Sequence, residues 1–382
     1  AFMKSKSTLA LLCMLPSMSV IAETETGKDI HRGDDMIITT GHKLFPNTTI
    51  ASPSFNVSKE DMEKTNVTSS EDIIRMAPSV HVRRRFYGDT NGVTAIRGST
   101  NFQTNHFNMY VDGLPLHNPV QTKWNGAPKW NLIAPNALES ATVFYGPYSA
   151  EHKGSFGGTF DLKTRLPEKF EMSMEATGMI QPSSQNGQKE EVLTGHKEFI
   201  SAGNRFGDWT VFGFYNHLEN EGQPQSFSTS ATNPAGTTGA YKSTDEFGTT
   251  EFLTGDLGIN NVLTDLYELK VSYDLNKDLR ALFTIALEDT EKNSQARSYL
   301  TSTTTGLLDY TTPSRLSGSE NERKTLAYGL NLSGKLTENW DIDTTASFFD
   351  AFKDVTYNTT RSRNDPRFAT DPSGTIVDND IC

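Results

Sequence analysis

The chain has little of what holds most soluble proteins together. Apolar residues make up only 35% of its 382 residues, too few for the roughly two or three packed cores that this length ordinarily supplies. Cysteine occurs only at Cys13 and Cys382, which excludes a disulfide-stapled scaffold. Beyond the N-terminus no apolar run reaches the roughly 20 residues of a membrane-spanning helix. The 35 basic residues are outnumbered by 47 acidic ones, for a net charge of −12, the wrong sign for a phosphate backbone, so nucleic acid is not an expected partner. Metal-ligand spacing, a phosphate-binding glycine loop and a catalytic triad are all missing. "GDTNG" at 88–92 has carboxylate and amide oxygens but lacks the repeated acidic spacing and final glutamate of a calcium loop. No enzyme activity, catalytic residue, cofactor or bound metal is therefore expected.

Glycine (29 residues) and aromatic residues (10%) are well represented. With so few apolar residues, that composition suits either a water-facing surface or a membrane barrel whose strands turn polar residues inward. After Ala1 and Phe2 comes "MKSKSTLALLCMLPSMSVIAE", with Lys4 and Lys6, an apolar stretch and small residues before Glu23. This reads as a secretory signal over residues 3–22, cleaved after Ala22. A membrane anchor fits less well, because the apolar stretch is short and broken by Pro16. An exported chain without helical spans crosses a membrane, if at all, as strands.

Residues 23–56 are polar and read as a flexible segment, interrupted only by "GDDMIITT" at 33–40. Such a stretch either lends itself as an added strand to a partner's sheet edge or forms the first edge strand of the next domain. A compact mixed domain follows over 57–167. Ser58 with Asp61 at the third helical position predicts a capped helix, and a second helical turn at Ser70–Met76 is stopped by Pro78. Short strands are expected at Val80–Val82, Val93–Ile96, Phe107–Val111 and Ala141–Phe144.

From residue 168 the pattern changes to longer strands of period two. "FEMSMEATGMI" puts Phe170, Met172, Met174 and Ile180 on one face and Glu171, Ser173, Glu175 and Thr177 on the other. "LYELKVSYDL" does the same with Tyr267, Leu269, Val271 and Tyr273 against Glu268, Lys270, Ser272 and Asp274. The expected strands are 170–180, 192–203, 209–217, 266–275, 279–288, 325–336 and 340–350. Between them, tight turns at 204–208, 276–278 and 337–339 alternate with long polar links. Outer-membrane barrels sort their connections in this way, whereas a soluble sandwich has no reason to.

Four stretches of the mixed domain resemble the plug of TonB-dependent outer-membrane receptors. They are "SSEDIIRMAPSVHVRR", "VTAIRGS" with Arg97 and Gly98, "MYVDGLPL" with Asp112 and Gly113, and "ESATVFYGPYSAEHKGSFGGTFDLKT" with its glycine cluster. "DDMIITT", Asp34–Thr40, resembles the family's TonB box. Departures include His152 before the last motif's glycine, "FDLKT" at its end, and Ile38 and Thr40 within the box. The resemblance implies an α+β plug followed by an antiparallel transmembrane β-barrel of about 22 strands when complete, of which residues 168–382 supply about seven. Seven strands cannot close in lipid, because their open edges would leave backbone groups unpaired, so a part of a longer product is expected.

What the resemblance implies for function is energy-dependent uptake of a scarce ligand, a ferric siderophore by default, across the bacterial outer membrane. A monomer among outer-membrane lipids would be driven by TonB through Asp35, Met36, Ile37, Ile38, Thr39 and Thr40. Arg97 and Asp112 are expected to lock the plug in the pore, by contacts with each other or with charges on the wall. Candidate ligand-facing residues are Asn101, Gln103, His106, Phe107, His117, Trp124 and Trp130, and the run Arg83–Arg85 either attracts an anionic ligand or pairs with the wall. The competing readings are a passive porin or adhesin-like barrel, and an inactive truncated fragment.

Overall fold

The computed structural model describes residues 53–65, 67–89, 92–100, 102, 104–118, 127–146, 155–184, 191–310, 316–360 and 378–379. All fall within one compact unit, which spans Ile38–Cys382. The expected signal, the box-like stretch 34–40 and most of the N-terminal segment lie outside the described residues.

The plug contains β1 (Ser54–Ser58), α1 (Lys59–Glu63), β2 (Val80–Arg83), β3 (Val93–Ile96), β4 (Phe107–Val111), β5 (Leu114–Pro115), β6 (Leu138–Phe144) and β7 (Gly158–Thr164). The capping box forms as expected: Ser58 Oγ accepts from the Asp61 amide at 3.2 Å, and the Asp61 carboxylate accepts from the Ser58 amide at 3.1 Å. Residues 70–76 wind as a 3-10 helix that ends before Pro78. A five-stranded sheet runs β1-β6-β7-β4-β5 beside the β2–β3 hairpin. β4 and β7 pair in parallel, the other neighbours antiparallel. β1 begins before the expected boundary at residue 57, because its partner β6 gives Phe55 and Val57 a ladder that "SFNVS" alone does not announce.

The "RG" and "DG" pairs have one common cause. Arg97 (φ 52°) and Gly98 (φ 68°), like Asp112 (φ 50°) and Gly113 (φ 84°), are consecutive left-handed residues. At Arg97–Gly98 they turn the chain as it leaves β3; at Asp112–Gly113 they make the tight hairpin turn whose twist matches that of its strands. Asp112 and Gly113 thus join Val111 to its partner Leu114 across the β4–β5 hairpin.

The chain continues through β8 (Glu171–Ser183), β9 (Glu191–Phe206) and β10 (Trp209–Gly222), then through short strands β11 (Phe227–Ser230), β12 (Thr237–Thr238), β13 (Tyr241–Thr244) and β14 (Thr250–Asp256). After β15 (Asn260–Asn276) and β16 (Leu279–Ser294) come β17 (Arg297–Ser298) and β18 (Thr301–Ser302), the long strands β19 (Ser317–Thr337) and β20 (Trp340–Thr360), and β21 (Asp378–Asn379). One antiparallel sheet runs β21-β20-β19-β16-β15-β10-β9-β8, so the seven expected long strands are all present and each pairs with its neighbour in sequence. They are longer than expected: β15 starts at Asn260 and β20 reaches Thr360. The apolar alternation marks only a belt, and the ladders run past it into polar sequence. The link expected over 218–265 also carries β11, β13 and β14, which form a small sheet completed by β17 from the link after β16.

This wall is inverted relative to a soluble sheet. Lys197, Ser201, Thr210, Glu268, Lys270 and Glu288 are buried against the plug, while Met174, Ile180, Leu269, Phe283 and Leu330 on the other face are exposed. No helix among the described residues is long and apolar enough to cross a membrane; the apolar outer face of the strands is what a lipid-facing wall requires. Paired rings edge the belt, with Trp209 tilted against Tyr273 at 4.5 Å near the tight turns and Tyr215 stacked on Tyr267 at 4.9 Å farther along.

The plug core is apolar and close-packed around Phe107, Met109, Phe160 and Leu162, and it extends to Phe199 and Phe212 of the wall. Gly158 lies at its centre with φ 145°, and a Cβ there would sit 2.5 Å from the Phe144 carbonyl oxygen. Gly158→Ala is expected to destabilise the plug by about 1–3 kcal/mol, read as a lower denaturant midpoint for loss of near-ultraviolet circular dichroism.

Candidate functional site

The left-handed turn at Asp112 directs its carboxylate toward the wall. Lys270, on the inward face of β15, places its Nζ 2.5 Å from Asp112 Oδ2, and the lysine side chain is wholly buried. Thr164 of β7 completes the cluster: its amide donates to Asp112 Oδ1 at 3.0 Å, its hydroxyl donates to Oδ2 at 2.6 Å, and Lys270 Nζ also contacts that hydroxyl oxygen. Burial alone would raise the Asp112 pKa, but the Lys270 charge and hydrogen bond, with help from Thr164, hold it below the usual carboxylate range. Glu268, two positions before Lys270 on the same buried face, supplies a second carboxylate.

Other polar contacts join plug and wall. Asn136 donates to Glu175 of β8 at 2.5 Å and accepts from Lys197 of β9 at 2.7 Å. Arg165 donates to Ser201 at 3.3 Å and lies over the Phe212 ring. Asn220 of β10 donates to the Tyr87 carbonyl at 2.9 Å. Each involves a side chain, and no strand of the plug sheet pairs with the wall sheet among the described residues.

Arg97 lies elsewhere. It is exposed, its guanidinium sits 5.4 Å from the Tyr145 ring centre, and it makes no ion pair among the described residues. Tyr145 in turn donates to the Pro78 carbonyl at 2.7 Å. The structure therefore brings Asp112 to a wall charge and leaves Arg97 just past Ile96, at the open end of the β2–β3 hairpin, with its amide donating to the Ser79 carbonyl at 2.8 Å; the two are not partners of each other. Lys270 went unselected because its strand showed only an ordinary polar face, and the charge it meets is 158 residues away in sequence.

Several candidate residues need correction. Phe107 is buried in the plug core against Phe160, because β4 is central in the plug sheet. His117 is half-buried with Nδ1 3.0 Å from the Met109 carbonyl, so it braces the strand it folds back on. Burial lowers its pKa. Arg84 binds Asp72 at 2.6 and 2.7 Å, and Arg85 binds Asp89 at 2.9 and 2.7 Å. Both arginines find carboxylates inside the plug rather than on the wall, and Asp89 of "GDTNG" is committed to Arg85. His106 is exposed, edge-on to the exposed Phe156. Asn101, Gln103 and Trp124 lie outside the described residues.

Trp130 has two aspects. Its ring packs 5.2 Å from Phe160, while its Nε1 has no hydrogen-bond partner among the described residues. It also lines a cavity of about 730 Å³ between plug and wall, with Glu71, Lys129, Lys197, Arg323 and Asp354. Burial, with the Arg323 charge nearby, lowers the Lys129 pKa to about 8, and burial raises that of Glu71. The cavity thus offers an aromatic surface and ionisable groups of both signs, which suits a polar ligand with an apolar body.

Residues 46–159 match the family model described as the TonB-dependent Receptor Plug Domain. A vitamin B12 transporter, BtuB, of Vibrio vulnificus is 22% identical over 201 residues, covering 52% of this chain and 30% of that protein. Among solved structures, a mutant of the ferric enterobactin receptor PfeA of Pseudomonas aeruginosa aligns with a TM-score of 0.46 at 14% identity, over 81% of this chain and 46% of that one. BauA, the ferric preacinetobactin receptor of Acinetobacter baumannii, aligns with 0.45 at 14% identity, over 81% and 47%. The chain thus spans 30% of the length of the curated relative it matches.

Asp112→Asn leaves the Lys270 ammonium buried without its carboxylate and is expected to destabilise the seated plug by about 3–5 kcal/mol. Asp112→Asn with Lys270→Met removes both charges and is expected to recover most of that loss, as a double-mutant cycle in urea would show. Because the folded-state pKa of Asp112 is depressed, its contribution is complete above the reference value of 3.8 and is lost as pH falls through the lower folded value. Stability measured against pH should therefore fall less below 3.8 in the double variant than in the wild type.

Proposed function

We propose that this chain, which carries the plug and successive barrel strands of a TonB-dependent receptor, takes part in energised uptake of a scarce ligand across the bacterial outer membrane. The observation that carries the proposal is the plug seated on the polar inner face of the wall, with a buried ion pair between Asp112 and Lys270. A passive porin needs an open lumen and has no use for such a seat. The outer membrane holds no ion gradient of its own, so work to shift the plug must arrive from the inner membrane through TonB. Asp35, Met36, Ile37, Ile38, Thr39 and Thr40 are proposed to receive it by strand addition, in which main-chain hydrogen bonds supply the affinity.

In this account Asp112 is the plug-side lock and Lys270 its wall-side partner, while Arg97 steadies the turn beside Tyr145. A ferric siderophore is the proposed ligand class, and the protein acts as a monomer among outer-membrane lipids. A corrinoid is the second reading, favoured by the sequence match to a vitamin B12 transporter. Either ligand has an apolar body with polar groups and would suit the cavity beside Trp130 and Lys129. Asn101, Gln103, His106 and Trp124 are proposed as further contacts.

Ile37→Pro removes a backbone N–H and blocks strand pairing. It is expected to abolish binding of the purified TonB periplasmic domain to the immobilised chain, while Ile37→Val preserves it. TonB binding unchanged by the proline would refute the box. Uptake of radiolabelled ferric siderophore against cobalamin, in receptor-deficient cells with and without TonB, separates the two ligands, and uptake independent of TonB would contradict the energised reading.

A further inference from the structure

The β9–β10 hairpin brings together a cluster that no spacing along the chain reveals. His196 lies directly across from Glu219, and His217 across from Glu198. All four occupy the outward face, since the alternate residues Lys197 and Phe199 are buried against the plug. The two imidazole rings are 5.6 Å apart. One potential ligand atom from each of His196, His217 and Glu219 lies within 4.8 Å of the others.

The next strand supplies a support. Asp265 of β15, opposite His217 in register, has its Oδ1 2.7 Å from His217 Nδ1 and accepts the Tyr215 hydroxyl at 2.6 Å. A carboxylate there keeps the imidazole proton on Nδ1 and leaves the lone pair on Nε2, as in the carboxylate–histidine–metal arrangement that orients metal ligands. His196 Nε2 is 3.9 Å from both Glu198 and Glu219, too far for a hydrogen bond. Among the described residues, Glu198, Glu219 and Asp265 form no ion pair with lysine or arginine, so three carboxylates share two histidines and attract a cation.

We propose that His196, His217 and Glu219 bind a divalent late transition metal of the zinc class on the outer wall, with Asp265 as the residue that positions His217. Two imidazoles and a carboxylate form a known zinc ligand set. Tetrahedral bonds of about 2.1 Å place ligand atoms about 3.4 Å apart, so the side chains must close by up to about 1.4 Å, a shift that falls to the exposed His196 and Glu219 while Asp265 holds the half-buried His217. The site lies one outward position beyond Tyr215, where the apolar belt of β10 ends. Metal there would pin β9 to β10 at the membrane boundary, with water in the remaining position, and would act apart from ligand passage on the plug side.

The test is titration of the full chain in detergent with Zn²⁺ by calorimetry and with Co²⁺ by visible absorption. One zinc per chain and the d–d bands of tetrahedral cobalt are expected. H196A with H217A should remove both signals, Asp265→Asn should weaken zinc about 10–100-fold, and His81→Ala, in the plug, should change neither. His196 is exposed, so His196→Gln gives a second variant in which loss of metal is not confused with loss of fold. A wild-type chain with no cobalt bands, a double variant that keeps them, or an Asp265→Asn chain that binds as tightly as wild type would overturn the site.

Discussion

A fully buried ammonium, Lys270, lies 2.5 Å from the Asp112 carboxylate at the tip of a plug hairpin, and the proposed seating of the plug depends on that pair. Removing either charge leaves the other stranded in a region of low dielectric. The carboxylate can be there because Asp112 and Gly113 both accept left-handed backbone, so the hairpin turns within two residues and its tip meets the wall. Asp112, Thr164 and Lys270 come from β4's turn, β7 and β15, and the cluster exists only when both sheets are folded and docked.

The other contacts between plug and wall share a property with this one. They run through side chains, and the described plug sheet and wall sheet have no backbone ladder in common. A plug held by ladders would have to be unzipped to move. One held by Asp112–Lys270, Asn136–Lys197 and Arg165–Ser201 can exchange its partners for water pair by pair, at a cost per pair rather than per strand. That difference is what the proposed energised uptake requires of a plug.

The wall's polarity follows from having two solvents. Its inner face meets a charged plug and its outer face an apolar phase, so Glu268, Lys270 and Glu288 are buried while Leu269 and Phe283 are exposed. This inversion made the strands legible: period-two alternation in several of them, with tight turns alternating with long links, located all seven, and the tight turns fell where expected. Their ends were not legible, because beyond the belt apolar residues are few and no longer keep to alternate positions, as at Asn260–Asp265 and Ala351–Thr360. Asp112 could be singled out because "MYVDGLPL" resembles a plug strand that ends in a charge; its left-handed turn became visible only in the structure. Lys270 could not, since nothing in "YELKVSY" distinguishes the lysine that meets the plug from any other inward polar residue. Phe107 was misread for a related reason: it adjoins a polar tract in sequence, yet β4 carries it into the centre of the sheet. His196 and His217 were invisible as a pair until the register of β9 with β10 set them side by side.

Amine-reactive labelling read by mass spectrometry tests the seat most directly. In the folded chain Lys270 should stay unlabelled while Lys277, 89% exposed in the adjacent tight turn, reacts freely. Labelling of Lys270 at the rate of Lys277 under native conditions would mean that the ammonium is open to water, and that the plug is not held by the pair on which this account rests.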